Sequence, residues 1–148
     1  RIAMINHDLS YKYARLRERG YKSVIHLKDL EYQAVEYASD LSFRAGMVAM
    51  QNLLQDNPPD AVFAVSDTLA AGALRAIQQA GLRVPEDIAV VGFDGTELAD
   101  MISLTTIEQP SRDIGRKAVD LLLNKIDNPD APTERVMMDW RFISRAST

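Results

Sequence analysis

The run Ala61-Val62-Phe63-Ala64-Val65 constrains this chain more than any other feature. It is apolar without interruption, and a strand can be so only where both of its faces are covered. A polar pair, Ser66-Asp67, follows at once, and then an alanine-rich stretch from Thr68 to Ala80. Leu69, Ala73, Leu74 and Ile77 are apolar there, and either Ser66 or Asp67 can cap the helix. Gly81 stops it, with Pro85 four residues beyond. Ile88 to Val91 then repeats the buried-strand pattern, and Gly92-Phe93-Asp94-Gly95 reads as a loop at its C-terminal end. Buried strands separated by whole helices pair in parallel, because only a crossover of that length can bring the chain back to start again at the same edge.

The flanking sequence extends the alternation. Ile2 to Ile5 is a strand bounded by a loop at Asn6, His7 and Asp8. Ser10 can cap a helix from Tyr11 to Leu27 with Ala14, Tyr21, Val24 and Ile25 apolar, and Gly20 inside it marks close backbone packing. Val35 to Ala38 is a second strand. Asp40 or Ser42 caps a helix to Gln55, on which Phe43, Met47, Met50 and Leu54 share a core-facing side. Asn57-Pro58-Pro59-Asp60 breaks it. Leu104 to Ile107 is extended, and Pro110-Ser111 opens a helix to Ile126. A turn at Asn128-Pro129-Asp130-Ala131-Pro132 precedes Val136 to Met138 and Phe142 to Ser144, a closing hairpin or two short strands. The expected fold is α/β, a doubly wound and mostly parallel sheet. Ligands in such sheets sit beyond the C-terminal strand ends. Three segments lie there: Asn6 to Ser10, Ser66-Asp67, and Phe93-Asp94-Gly95.

Several chemistries are excluded. The formal net charge of −4 argues against a nucleic-acid or anionic-membrane surface on these residues. There is no cysteine, so no disulfide, thiolate nucleophile or Cys-ligated zinc. No apolar run approaches the roughly 20 residues that span a bilayer. Arg1 stands at the head of a strand, so the chain reads as part of a longer protein. No phosphate-binding glycine loop and no nucleophile elbow occurs. Asp94-Gly95-Thr96 is reminiscent of a phosphatase loop, but Gly92 stands where its nucleophilic aspartate belongs. The two histidines, His7 and His26, have no carboxylates at metal-ligand spacing. His26 is expected at the surface and His7 in a solvated loop. Trp140 is expected to be partly buried. The Met47 and Met50 pair is a core stripe. No metal, cofactor or catalytic residue is expected. What remains is Asp94, whose two oxygens can accept from sugar hydroxyls or ring N–H groups. One of Arg15, Arg17 and Arg19 can reach the same cleft, since their spacing of two forbids a common direction.

Read in order, Pro59 to Asp67, Leu69-Ala70-Ala71-Gly72-Ala73, Gly81 to Asp94, Leu104-Thr105-Thr106-Ile107, Gln109-Pro110, Gly115, Ala118 and Phe142 to Thr148 strongly resemble the LacI/GalR family of repressors. Ala14-Arg15-Leu16-Arg17 and Gly20-Tyr21 fit as well. The resemblance implies a type I periplasmic-binding-protein-like fold of two lobes joined by three crossings. This chain would supply mainly the C-terminal lobe, residues 6–109 and 128–148. Residues 1–5 and 110–127 would be remnants of the N-terminal lobe, with crossings near Asn6, Gln109 and Asn128. By the same resemblance Arg17 reaches the effector and Asp94 accepts from it. Tyr13, Ser66 and Gln109 line the cleft. Leu41 stands where relatives carry an aromatic ring, which removes a stacking face.

The implied function is effector sensing in a cytoplasmic, homodimeric transcriptional repressor. The effector would be a sugar or other small metabolite, and operator DNA would be bound by a headpiece outside this chain. The alternative is a solute-binding protein of a transport system with the same fold. An enzyme on this scaffold finds no nucleophile–base pair or metal set. The helix Ser111 to Ile126 is apolar on nearly every side, so it is expected to pack on another copy or to rearrange.

Overall fold

A computed structural model of the chain describes residues 1–31 and 33–148. Eleven elements follow one another: β1 Ile2–Asn6, α1 Lys12–Leu27, β2 Ala34–Tyr37, α2 Phe43–Leu53, β3 Ala61–Ala64, α3 Asp67–Gln79, β4 Ala89–Asp94, α4 Glu97–Met101, β5 Thr105–Glu108, α5 Ser111–Asp127 and β6 Arg141–Ile143. The strands form one sheet in the order β2-β1-β3-β4-β5-β6. All neighbours are parallel except β6, which runs antiparallel to β5.

The chain steps from β1 outward to β2 and then back past β1 to β3. Right-handed crossovers in opposite directions put α1 on one face of the sheet and α2 with α3 on the other. The reversal also opens a switch point between the C-terminal ends of β1 and β3. Met4, Ile5, Val62, Ala64 and Val90 are fully or almost fully buried, as their apolar runs require.

Caps fix the helix starts. Ser42 accepts from Ala45 N at 3.1 Å and Ser66 from Leu69 N at 3.2 Å, so Ser42 and Ser66 are the caps and not Asp40 or Asp67. Helices α2 and α3 touch backbone to backbone. A Cβ on Gly72 would fall on the Phe43 carbonyl oxygen, and one on Gly46 on the Leu69 carbonyl oxygen. Phe43 is consequently a rim residue, 45% exposed, while Ala45, Ala49 and Met50 face the core.

Several expectations are corrected. Residues 1–5 are not outside this lobe: β1 is hydrogen-bonded between β2 and β3, and Asn6 is completely buried. Tyr11, not Ser10, precedes α1, and it makes no side-chain cap. Gly20 meets nothing within 4 Å, so it marks no close packing. Residues Glu97–Met101, to which the sequence assigns no element, form the short helix α4, capped by Thr96. Residues 136–138 are not a strand, and Trp140 is 64% exposed. Helix α5 contains no buried residue.

Candidate functional site

The parallel strands deliver their C-terminal ends to one edge, and α1 begins above it. Tyr13 and Arg17 are one helical turn apart, so they share a face that looks onto β3 and β4. Arg17 is the centre of the cluster. One guanidinium nitrogen, Nη1, donates to the carbonyl of Val65, immediately after β3. The other, Nη2, lies 3.6 Å from Asp94 Oδ1 at the end of β4. The plane of the group stacks 3.6 Å from the centre of the Phe93 ring, with the Tyr13 ring 5.1 Å away. Stacking of this kind contributes about 0.5–2 kcal/mol, more as water is excluded. The Arg17 side chain is 16% exposed, so it is held before any ligand arrives.

Asp94 is also approached by Gln109, which follows β5. Gln109 Nε2 donates to Asp94 Oδ1 at 3.0 Å, and Asp94 Oδ2 has no hydrogen bond within the chain among the described residues. Asp94 has φ +120°, a conformation that non-glycine residues rarely tolerate. Such strain is kept at binding and catalytic positions when the surroundings over-determine it. Burial pushes the Asp94 carboxyl above the usual aspartate range, Arg17 opposes the rise, and the charge of Asp67 adds to it. Burial also lowers the Arg17 guanidinium, against the pull of Asp94. A ligand hydroxyl donating to Asp94 would relieve part of this penalty.

The remaining candidates fall around this pair. Tyr13 hydroxyl is 3.0 Å from His7 Nδ1, and the two rings are nearly parallel with centroids 6.4 Å apart. His7 is 8% exposed, which corrects its expected place in a solvated loop. Ser66 is 6% exposed, and its hydroxyl is occupied as the α3 cap. Leu41 is 42% exposed in the turn after β2 and takes no part in the hydrogen-bonded cluster. Of the three arginines, Arg15 turns away and donates to the carbonyls of Leu9 and Ser10. A cavity of about 480 Å³ opens beside Asp94 and Gln109, bounded also by Gly95, Thr96 and Arg112. Arg17 and Tyr13 do not line it.

Two residues of the site escaped the sequence reading. Phe93 lies in a segment marked as a strand end, yet its ring was not recognised as the platform for Arg17. Asp67 was read only as a rival cap. It is completely buried and accepts from Thr106 Oγ1 at 2.6 Å and from Thr96 N and Oγ1 at 2.7 and 2.9 Å. Neither role has a signature in spacing, because both depend on which strands become neighbours. Among the described residues no group of three or more His, Cys, Asp or Glu side chains is arranged to hold a metal ion.

A doubly wound sheet with a charged pair at its C-terminal strand ends agrees with what the sequence matches. The family model for the periplasmic binding protein-like domain aligns with residues 1–148. The chain belongs to that family. Its match is to the LacI type. The ribose operon repressor of Escherichia coli strain K12 is 38% identical over 152 residues, 99% of this chain and 46% of the relative. A LacI family transcriptional regulator from Enterococcus faecium, solved with bound ribose, superposes with a TM-score of 0.89 at 29% identity, covering 99% of this chain and 56% of that one. The lac repressor dimer bound to operator gives a TM-score of 0.89 at 33% identity, covering 100% and 52%. The domain thus spans about half the length of the curated relatives it matches. Those relatives are transcriptional repressors, and no helix among the described residues of this domain is long and apolar enough to cross a membrane.

Proposed function

We propose that this domain is the effector-sensing part of a cytoplasmic transcriptional repressor that binds a small polyol, with ribose the first candidate. The observation that carries the reading is the Arg17–Asp94–Gln109 constellation beyond the C-terminal ends of β3, β4 and β5. It sets a fixed donor and a strained, partly desolvated acceptor 3.6 Å apart. Vicinal hydroxyls suit that pair, since each hydroxyl can accept from one group and donate to the other. Tyr13, Ser66, Gln109 and Leu41 are assigned to the walls of the same cleft. The domain does no chemistry on the effector.

The open side of the site gives the switch its logic. An effector shifts a conformational equilibrium only by its differential affinity for two arrangements. Asp94 and Arg17 present one jaw, and a second lobe supplied by the rest of the protein would close over the ligand. Residues 6–109 and 128–148, together with β1, form the jaw, and α5 faces the other lobe. The full protein would be a homodimer that reads operator DNA through a headpiece outside this chain. A solute-binding protein for transport is the rival, and the segment upstream decides it: a helix-turn-helix or a secretory signal.

Asp94→Ala in the full-length protein tests the site. Calorimetric titration with D-ribose is expected to show at least a tenfold loss of affinity with the melting curve retained. Undiminished affinity would remove Asp94 from the site. A pH series sharpens the test. Effector donors favour the carboxylate, so the bound state titrates lower than the free one. Affinity is expected to rise as pH climbs through the raised Asp94 value and then to level off.

A further inference from the structure

A carboxylate as deep as Asp67 is stable only if its lone pairs are filled. Three donors fill them, and they come from two other elements. Thr106 Oγ1, on β5, donates to Oδ1 at 2.6 Å. Thr96, at the start of α4, donates its backbone N–H and its hydroxyl to Oδ2 at 2.7 and 2.9 Å. Gly92, on β4, makes the room: a Cβ there would meet Asp67 Oδ1 at 2.5 Å. Between Gly92 and Thr96 lie Phe93, Asp94 and Gly95. These include the ring that supports Arg17 and the carboxylate that pairs with it. Asp94 and Gly95 both have positive φ, +120° and +73°. The strained segment is thus pinned at both ends by one side chain, through close packing at Gly92 and two hydrogen bonds at Thr96.

We propose that Asp67 is a positioning residue of the effector site, whose carboxylate clamps the turn between β4 and α4 and so holds Asp94 in its strained, Arg17-facing conformation. The clamp has a second consequence. The Thr96 hydroxyl that donates to Asp67 also accepts from Ala99 N at 3.4 Å as the cap of α4. A ligand that displaces Asp94 therefore loads the first turn of α4 through the same carboxylate. This inference rests on the reading of Asp94 as the effector acceptor.

The test uses the full-length protein in four forms: wild type, Asp67→Asn, Thr96→Val and Thr96→Ser. Two readouts are taken, calorimetric titration with D-ribose and a carbon-detected NMR titration of the Asp94 carboxyl. Asparagine keeps the shape of Asp67, removes its charge and offers a donor to donors. Asp67→Asn is expected to lower the pH at which Asp94 titrates, because a like charge has gone, and to weaken ribose binding tenfold or more. Thr96→Val is expected to weaken ribose binding as well, and Thr96→Ser, which restores the hydroxyl, to recover it. Loss of the Asp67 charge alone moves the Asp94 titration, so the clamp is read from ribose affinity and from the Thr96 variants, which keep that charge. A folded Asp67→Asn protein with unchanged ribose affinity overturns the clamp. If Asp67→Asn does not fold, identical Asp94 titrations in the valine and serine variants overturn it. The carboxyl titration needs no ligand. Should ribose bind none of the four, the ribose assignment fails, while the NMR result still decides the clamp.

Discussion

Helices α3 and α5 are both amphipathic and meet opposite fates. Both are long and carry a hydrophobic side. Eight residues of α3 are buried, and none of α5 is. The difference lies in what stands opposite. Small residues on α3 let α2 approach until the backbones meet at Gly46 and Gly72. On α5, Val119, Leu122 and Ile126 are 55%, 60% and 63% exposed, because no element among the described residues covers them. An apolar stripe shows that a helix needs a partner, and the topology decides whether this chain contains it.

The contrast is open to attack by substitution. Leu69→Ala on α3 is expected to lower stability by about 2–5 kcal/mol, through lost burial and the cavity left behind. Leu122→Ala on α5 of this isolated domain should stay within about 0.5 kcal/mol, as surface changes do. Chemical denaturation of the two variants checks both values. The same Leu122→Ala change in the full-length protein should cost more if α5 is covered there, and an equal cost would undo the assignment of α5 to a second lobe.

Glycines give a smaller, matched pair. Gly72→Ala forces a methyl onto the Phe43 carbonyl and is expected to cost about 1–3 kcal/mol. Gly115→Ala meets open space on α5 and is expected to stabilise by about 0.5–1 kcal/mol, since alanine loses less freedom in a helix. Thermal melting should therefore move in opposite directions for the two variants.

Helix α1 lies between these extremes and shows the smallest effect. It is tied to the sheet by Glu18, which accepts from Lys22 at 2.6 Å, Asn6 at 2.8 Å and Tyr37 at 3.0 Å. Burial pushes the Glu18 carboxyl up, but these hydrogen bonds outweigh it and hold the group below the usual glutamate range. A lowered value means stability that is present above the ordinary glutamate titration and lost as pH falls through the folded one. Glu18→Gln is expected to flatten the acid side of the stability–pH curve, while an unchanged slope would deny Glu18 that role.

Much of the fold was legible because continuous apolar runs have few alternatives. Ala61 to Val65 and Ile88 to Val91 had to be buried strands, and each lies within a residue or so of an observed one at its start. Helix α4 was missed because five residues are too few to show a period. Trp140 was misplaced because its bulk argues for cover that this chain does not provide. At the site, Asp94 and Arg17 were identified through family likeness. Spacing alone left Arg15, Arg17 and Arg19 equivalent, and the contacts of Arg17 with the Val65 carbonyl, Phe93 and Asp94 single it out. Asp67 and Phe93 were illegible for a deeper reason: their partners, Thr106 and Arg17, are 39 and 76 residues away in sequence.

The guanidinium of Arg17 is fastened along one edge by the Val65 carbonyl and across its plane by Phe93. It cannot swivel to follow a guest. A polyol bound as proposed would have to bring its oxygen to the one remaining edge, so sugars that differ only in the handedness of a single carbon would not be read alike. Under that proposal, immobility in one side chain would become chiral discrimination.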